Sequence, residues 1–271
     1  MEIRHFALRI VQTNILDEKL FPAPADISDN APGPALRLTE PGRPDNLSIH
    51  PAGGRKVKVP PLEGMADISQ RRRILHALAN HELQAVELFA WALLAFPDAP
   101  ADFRRGLLRI LGEEQRHVKM YTACLERHGG SLGDHAVTGY FWNKVEHIQS
   151  PLHFISAMSL TFENANLDHT VDYAAAARAA GDEKTALVVE KVQQDEIGHV
   201  RFGWEWLQVF KQERTAWDAF RESLTWPLRP LKARGRLFNR EARRHAGMDD
   251  DFIDRIEAST AEAEEAAGGP S

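Results

Sequence analysis

The chain has 271 residues, of which 43% are hydrophobic and 27% charged, as in water-soluble globular proteins. Its net charge of −6 argues against a surface that binds nucleic acid generally, and its single cysteine, Cys124, excludes an internal disulfide and a thiolate metal cluster. The N-terminus lacks the features of a secretory signal, and the longest apolar run, residues 88–96, is far shorter than the roughly 20 residues of a membrane span. We therefore expect a cytoplasmic protein without a membrane segment.

The first region, residues 1–65, contains most of the prolines and several glycines of the chain. Such a composition interrupts helices, and we predict an irregular or short-stranded arm that lies over another part of the protein. The next region, residues 66–212, has the apolar spacing of long helices.

Proline, glycine and capping residues divide this second region into four predicted helices. They run from Ile68 to Ala95, from Pro100 to Gly129, from Pro151 to Gly181, and from Asp182 to about Gln212. The connection between the second and third helices, residues 131–149, is much longer than the other two. One long connection is typical of a bundle in which the chain crosses the length of the helices. Residues 213–258 are predicted to form a helical extension, and residues 259–271 a disordered tail.

The second and fourth helices carry the same short motif. Residues 113–119 and 195–201 both read acid-Glu-x-x-His-Val-base, with Glu114 and His117 in the first and Glu196 and His199 in the second. A glutamate and a histidine three positions apart lie on one helix face, so both can reach one metal ion. A third pair, at positions 2 and 5, is interpreted as a chance match. The other two lie among apolar residues, where uncompensated charge is costly.

Each motif is preceded by a helix that has a glutamate in its own apolar stripe. Glu82 lies 32 residues before Glu114, and Glu163 lies 33 residues before the glutamate of the second motif. This near-equal spacing indicates a repeated two-helix unit with its ligands in register. Glu87 would give a spacing of 27, so Glu82 is the better ligand. Glu87 and Asp168 occupy equivalent positions in the repeat, each five residues after the predicted ligand of its helix. We expect these two acids to share a second role that supports the ligands.

Four inward-facing carboxylates need cations, because their repulsion and desolvation would otherwise raise their pKa values or unfold the bundle. Two divalent metal ions satisfy this need. Carboxylate oxygen and imidazole nitrogen suit iron or manganese, and no thiolate favours zinc. We predict a centre of two iron ions, with manganese as the alternative metal. Buried ion pairs between helices are the competing interpretation.

This pattern resembles the signature of the ferritin-like di-iron carboxylate superfamily, which is Glu and Glu-x-x-His, repeated over four helices. The resemblance implies a metal-ligand set of Glu82, Glu114, His117, Glu163, Glu196 and His199. The segment HELQAVELFAWA of the first helix also resembles the corresponding helix of bacterioferritin-type proteins, and the span from about 60 to 245 resembles a bacterial family of ferritin-like proteins of unassigned function. The implied fold is an all-α, ferritin-like four-helix bundle with one long crossover connection, an irregular N-terminal arm and a C-terminal helical extension.

Two further acids directly precede the glutamates of the two motifs. A metal-bound histidine usually donates its other N–H group to a carboxylate or carbonyl, which fixes its orientation. We predict that Asp195 accepts this bond from His117 and that Glu113 accepts it from His199, so that each repeat supports the ligand of the other.

Three functions are compatible with such a centre. The first is an oxygen-activating hydroxylase or oxygenase, whose partners are dioxygen and a small or tethered organic substrate. The second is a ferroxidase or a manganese-catalase-like enzyme, and the third is metal storage or a structural role. Phe89, Phe162 and Phe202 are expected to shield the metals, while Asn164 and Asn166 are expected to orient a substrate at the rim, which favours the first function.

The extension contains a basic stretch, residues 229–244, with seven lysines and arginines. It is compatible with an RNA substrate or a phosphate group, and equally with a solvated helix face or a contact in a homodimer. Residues 202–206, which include Phe202, Trp204 and Trp206, are expected to pack within the bundle, with a substrate channel as the alternative.

Overall fold

The structure, a computed structural model, describes residues 1–49, 57–225 and 227–260. These residues are all-α, as predicted, and form no β-strand; Glu2 and Ser28 make one isolated bridge. The α-helices are α1 (Ile3–Gln12), α2 (Leu16–Lys19), α3 (Ile68–Ala95), α4 (Ala101–Arg127), α5 (Pro151–Ala157), α6 (Asn164–Ala179), α7 (Glu183–Phe210), α8 (Ala216–Ser223), α9 (Arg240–His245) and α10 (Asp250–Ala258). Short 3₁₀-helices occupy Asp45–Leu47, Leu62–Ala66, Trp142–His147 and Pro230–Ala233.

Helices α3, α4 and α7 begin and end within about two residues of the predicted bounds, because local capping sets these bounds. Asp67 caps α3 by accepting a hydrogen bond from the Gln70 backbone N–H at 2.9 Å, and Ser150 caps α5 in the same manner. Gly129 follows α4 and Gly181 precedes α7, both with positive φ, a conformation that glycine adopts without strain. None of the described helices has both the length and the apolar character that a membrane span requires.

The third predicted helix differs from expectation because a π-helical segment, Met158–Glu163, separates α5 from α6. The Thr161 hydroxyl donates to the Ser156 carbonyl, five residues earlier, at 2.7 Å. Segments of this kind insert one extra residue in a helical turn and are frequent at functional sites. Here the segment ends on Glu163, one of the predicted metal ligands.

The prediction that residues 1–65 lack helical structure is wrong for their first part. Helix α1 places Ile3, Phe6, Ala7, Ile10 and Val11 on one buried face. These positions follow the i, i+3, i+4, i+7 spacing of an amphipathic helix, which the surrounding proline-rich composition obscures. The predicted disordered tail falls largely on residues 261–271, outside the described residues.

The chain forms two compact units. Unit 1 consists of residues 1–146 and 176–188. In it α3 and α4 pack against one another as a helical hairpin, and α1 packs against α3. Arg104 of α4 fixes the arm by donating two hydrogen bonds of 2.7 Å to the Asp29 carboxylate.

Unit 2 consists of residues 147–175 and the chain from residue 189 onward. Phe252 of α10 is buried among Trp204, Trp217 and Phe220, with ring centroids 5.0–5.7 Å apart. This aromatic cluster joins the C-terminal extension to α7. Trp204 thus packs against the C-terminal extension, and the packing of residues 202–206 within a bundle stays a prediction.

Candidate metal sites

The first candidate site lies in unit 1 and is made of Glu82 from α3 with Glu114 and His117 from α4. His117 Nδ1 lies 3.3 Å from Glu114 Oε2 and 3.8 Å from Glu82 Oε2. The three side chains are 6%, 1% and 0% exposed. Each offers one ligand atom, and these atoms lie within 4.8 Å of one another. The helical hairpin thus brings two carboxylates and one imidazole to one buried point.

The second candidate site lies in unit 2 and is made of Glu163, at the end of the π-helical segment, with Glu196 and His199 from α7. His199 Nδ1 lies 3.4 Å from Glu196 Oε2 and 3.9 Å from Glu163 Oε1. All three side chains are buried, and their ligand atoms also lie within 4.8 Å of one another. The two sites, called the unit 1 triad and the unit 2 triad below, have the same chemistry.

Both triads have dimensions that fit a metal ion. Oxygen and nitrogen ligands lie about 2.0–2.2 Å from a divalent metal such as zinc, so that neighbouring ligand atoms around one ion are separated by roughly 3–4 Å. The separations of 3.3–3.9 Å fall in this range, and the shortest, between His117 Nδ1 and Glu114 Oε2, is also within hydrogen-bond distance. In each triad the imidazole faces the carboxylates through Nδ1.

The charge of the unit 1 triad also favours a cation. Burial raises the pKa of Glu82 well above its ordinary value, and the neighbouring carboxylate of Glu114 raises it further. A bound divalent ion would offset both effects and allow the two carboxylates to ionise together.

The two triads differ in their surroundings. Asn166 Nδ2 donates a hydrogen bond of 3.2 Å to Glu196 Oε1 in the unit 2 triad, whereas Ala85 occupies the equivalent register position in α3. Asn166 therefore holds the carboxylate of a predicted metal ligand, and its place at the rim of a substrate pocket stays a prediction. Asn164 is fully buried and donates to the Leu160 carbonyl at 3.3 Å, so it supports the helix.

Glu87 of α3 is completely buried and is held by cations from the N-terminal arm. The Arg43 guanidinium binds both of its oxygens, at 2.9 and 2.7 Å, and Lys19 Nζ lies 3.2 Å away. The Trp142 indole N–H also donates to it, at 2.9 Å. Glu87 therefore fastens the arm to α3.

Asp168 of α6 is held in the same way in unit 2, but by an arginine of the C-terminal extension. The Arg243 guanidinium binds both carboxylate oxygens, at 2.7 and 2.9 Å, and both side chains are completely buried. The backbone N–H groups of Gly235 and Asn239 each donate at 2.7 Å. Glu87 and Asp168, at equivalent positions in the repeat, thus have the same role. Each binds a buried arginine that belongs to a segment outside the long helices. Sequence reasoning did not find Arg43 or Arg243, because nothing local marks an arginine as buried.

The two acids that directly precede the glutamates of the motifs have partners within their own helices. Arg116 lies 3.6 Å from Glu113, and Lys191 forms an ion pair with Asp195, both within one helix. The predicted bonds of these two acids to the histidines stay a prediction. In the basic stretch, Arg236, Arg240 and Arg244 pair with acids of unit 2, so the fold neutralises much of its charge.

Comparison with models of protein families identifies the family of this chain. Residues 3–254 match the model of a family described as "Protein of unknown function (DUF455)". Comparisons with curated proteins and with solved structures gave no match. The matched span extends from α1 into α10 and includes both triads and both buried arginines. The chain therefore belongs to the DUF455 family of proteins of unknown function.

Proposed function

We propose that this protein is a ferritin-like di-iron carboxylate protein that uses dioxygen to oxidise an organic substrate. The observation that carries the proposal is the duplication of one buried Glu, Glu, His set. The distances from the imidazole to the two carboxylates are 3.3 and 3.8 Å in one triad and 3.4 and 3.9 Å in the other. The ferritin-like bundle and the pairing of the two ions in one centre are parts of the proposal that rest on the sequence repeat.

The chain itself shows how it satisfies a buried carboxylate with protein groups alone. Glu87 and Asp168 each accept two short hydrogen bonds from one arginine. The triads are different, because each brings two carboxylates to one imidazole, at 3.3 and 3.8 Å in unit 1 and at 3.4 and 3.9 Å in unit 2. This contrast supports metal binding over the alternative of simple buried ion pairs.

The residues present suit iron. Four carboxylates and two imidazoles form a ligand set of oxygen and nitrogen, which favours iron or manganese over the softer metals that thiolates bind. Bound iron would supply electrons to dioxygen. Asn166 would hold Glu196 in position, since metal ligands are commonly oriented by an outer hydrogen bond.

Apolar side chains would keep water from the metals. Phe89 and Val86 of α3 are fully buried, as is Val118, which follows His117. In unit 2, Phe202 is 5% exposed and Val200 is fully buried, while Phe162 is half-buried. Water exclusion of this kind protects reactive species and suits a partly apolar substrate, which favours oxidation over metal storage.

Metal analysis of purified variants tests the binding part of the proposal. The protein should contain about two metal ions per chain, the number that paired Glu-x-x-His motifs bind in related bundles. The Glu114→Ala, Glu196→Ala double variant should lose most of this metal. Glu126→Ala and Glu205→Ala remove exposed glutamates from the same two helices and serve as matched controls. Full metal content in the double variant would exclude these ligands.

Stopped-flow mixing of the anaerobic ferrous protein with dioxygen tests the chemistry. We expect rapid oxygen consumption and oxidation of both irons. Electron paramagnetic resonance then separates one coupled pair from two isolated ions, because only the isolated ferric ions give strong signals. Irons that stay ferrous for hours, or a protein isolated with zinc alone, would exclude oxygen chemistry.

A further inference from the structure

A cavity of about 440 Å³ lies in unit 1 beside the first half of α3. It is bordered by α3, by residues 57–59, and by residues 135–138 of the loop after α4. Its volume falls within the range of about 300–1,000 Å³ that is usual for small-molecule sites. Its residues take no part in the triads, so the cavity needs a separate explanation.

Among the residues that the structure describes, every ionisable side chain that lines this cavity is a base. They are Lys58, Arg73, His76, His81 and His135. No aspartate or glutamate is among these described lining residues, although the chain as a whole has a net charge of −6. The acid next to the lining residues, Asp134, accepts a hydrogen bond from the Ser131 backbone N–H at 2.6 Å. Burial and the neighbouring His135 lower the pKa of His76 to about 4, so this imidazole is neutral at pH 7. Lys58 and Arg73 therefore supply the positive charge of the cavity, which concentrates ligands of the opposite charge.

Buried polar groups at the base of the cavity have fixed orientations. The Gly133 backbone N–H donates to His76 Nε2 at 2.9 Å, so the proton of this imidazole resides on Nδ1, which is a donor. Asn80 is 3% exposed and is held by Arg43 and by the Thr138 carbonyl. The Arg73 guanidinium donates to the Lys58 carbonyl, which fixes its position at the edge. These groups are arranged before any ligand binds.

The histidines of this cavity do not form a metal site. The His76 and His135 rings are 5.3 Å apart and perpendicular, and the His81 ring packs on Phe141 at 5.5 Å. Within residues 1–49, 57–225 and 227–260, the sets of ligand atoms that lie within 4.8 Å of one another include none of these histidines. The donors of the cavity therefore suit an anion better than a cation.

The rest of the lining is apolar and consists mainly of three valines and two alanines. We propose that the cavity binds a small organic anion, whose carboxylate or phosphate group contacts Lys58 and Arg73 and whose apolar part contacts the valines. This site is independent of the metal chemistry proposed above.

Isothermal titration calorimetry at low ionic strength tests this site on the metal-loaded protein. The probes are benzoate, phenyl phosphate, inorganic phosphate and benzamide, which is close to benzoate in shape but uncharged. Benzoate or phenyl phosphate should bind saturably and at least about tenfold more tightly than benzamide, because charge-assisted hydrogen bonds contribute more than neutral ones. Inorganic phosphate shows whether the charged group alone is sufficient.

The variants Lys58→Gln and Arg73→Gln should each weaken the binding of the anion about tenfold. Lys58→Gln keeps the carbonyl that Arg73 binds, so it removes charge without disturbing that contact. Arg105→Gln, which changes an exposed arginine of α4, is the matched control and should bind normally. All three variants should keep their metal content.

Three results would overturn the proposal. They are an absence of saturable binding for every anionic probe, benzamide binding as tight as benzoate binding, and Lys58→Gln and Arg73→Gln variants that bind like Arg105→Gln. In the last case, loss of binding in the Glu114→Ala, Glu196→Ala double variant would show that the anion binds at the metals instead.

Discussion

At the scale of single residues, six of the buried acids fall into two groups. Glu87 and Asp168 each bind an arginine from an extension, whereas the four triad glutamates surround histidines at distances that suit a metal ion. A buried carboxylate that loses its partner is an uncompensated charge in a medium of low polarity. We therefore expect the arginine contacts to determine stability and the triads to determine metal content.

We predict that Arg243→Ala lowers the free energy of unfolding by about 3–5 kcal/mol, because the buried Asp168 carboxylate then loses the cation with which it is paired. Urea denaturation measures this change. Asp251→Ala, which removes an exposed ion pair with Arg255 on α10, should change stability little. Equal effects of the two substitutions would show that Arg243 does not anchor the extension.

Among the helices, α7 approaches the π-helical segment, which ends on Glu163, closely at Gly203. A Cβ atom added at Gly203 would lie 2.4 Å from the Ser159 Cβ, too close for any real structure. We predict that Gly203→Ala displaces α7, destabilises the protein by about 1–3 kcal/mol and reduces metal binding at the unit 2 triad. Thermal denaturation and metal analysis measure both effects.

Gly198 provides the matched control for this prediction, because it lies in the same helix between Glu196 and His199 and an added Cβ meets nothing within 4 Å. Gly198→Ala should keep the metal and leave stability equal or higher, since alanine favours a helix over glycine. If Gly198→Ala lost the metal and Gly203→Ala kept it, the close approach would not be what positions Glu196.

The start of α7 should make the stability of unit 1 depend on pH. Burial alone would raise the pKa of Asp182, but hydrogen bonds from Thr185 and His128 outweigh it and lower this pKa to about 2, from an ordinary value of 3.8. The unfolded chain therefore binds more protons than the folded chain between these values, so stability falls as pH decreases from about 4 to about 2. Denaturation of the Asp182→Asn variant over this range should show a weaker pH dependence. An unchanged profile would assign the effect to other acids.

For the whole molecule, metal binding and folding should be linked. Each triad joins residues from two helices, so an unfolded chain offers the metal no assembled site. We predict that removal of the metal with a chelator lowers the melting temperature of the protein. The Glu114→Ala, Glu196→Ala double variant should melt at the same temperature with and without the chelator, and a similar decrease in both proteins would place the metal elsewhere.

Local patterns in the sequence predicted much of this structure. The bounds of α3, the glycine after α4 and the serine cap of α5 follow from side chains next to the helix ends. The two Glu-x-x-His motifs follow from helix periodicity, which places residues three positions apart on one face. The spacing of apolar residues also indicates helix α1, but the proline-rich composition of the surrounding arm led to the prediction of an irregular segment.

The sequence by itself determined the helical class, the positions of the long helices and the residues of both triads, because each depends on spacing within a helix or on a repeated unit. Only the tertiary structure decided that Arg43 and Arg243 are buried, that Asn166 binds Glu196, and that basic side chains surround one cavity. These features join residues that are far apart in the sequence, such as Asn166 and Glu196, 30 positions apart, and Asp168 and Arg243, 75 positions apart. No local pattern records such contacts, because they form only when packing brings distant segments together.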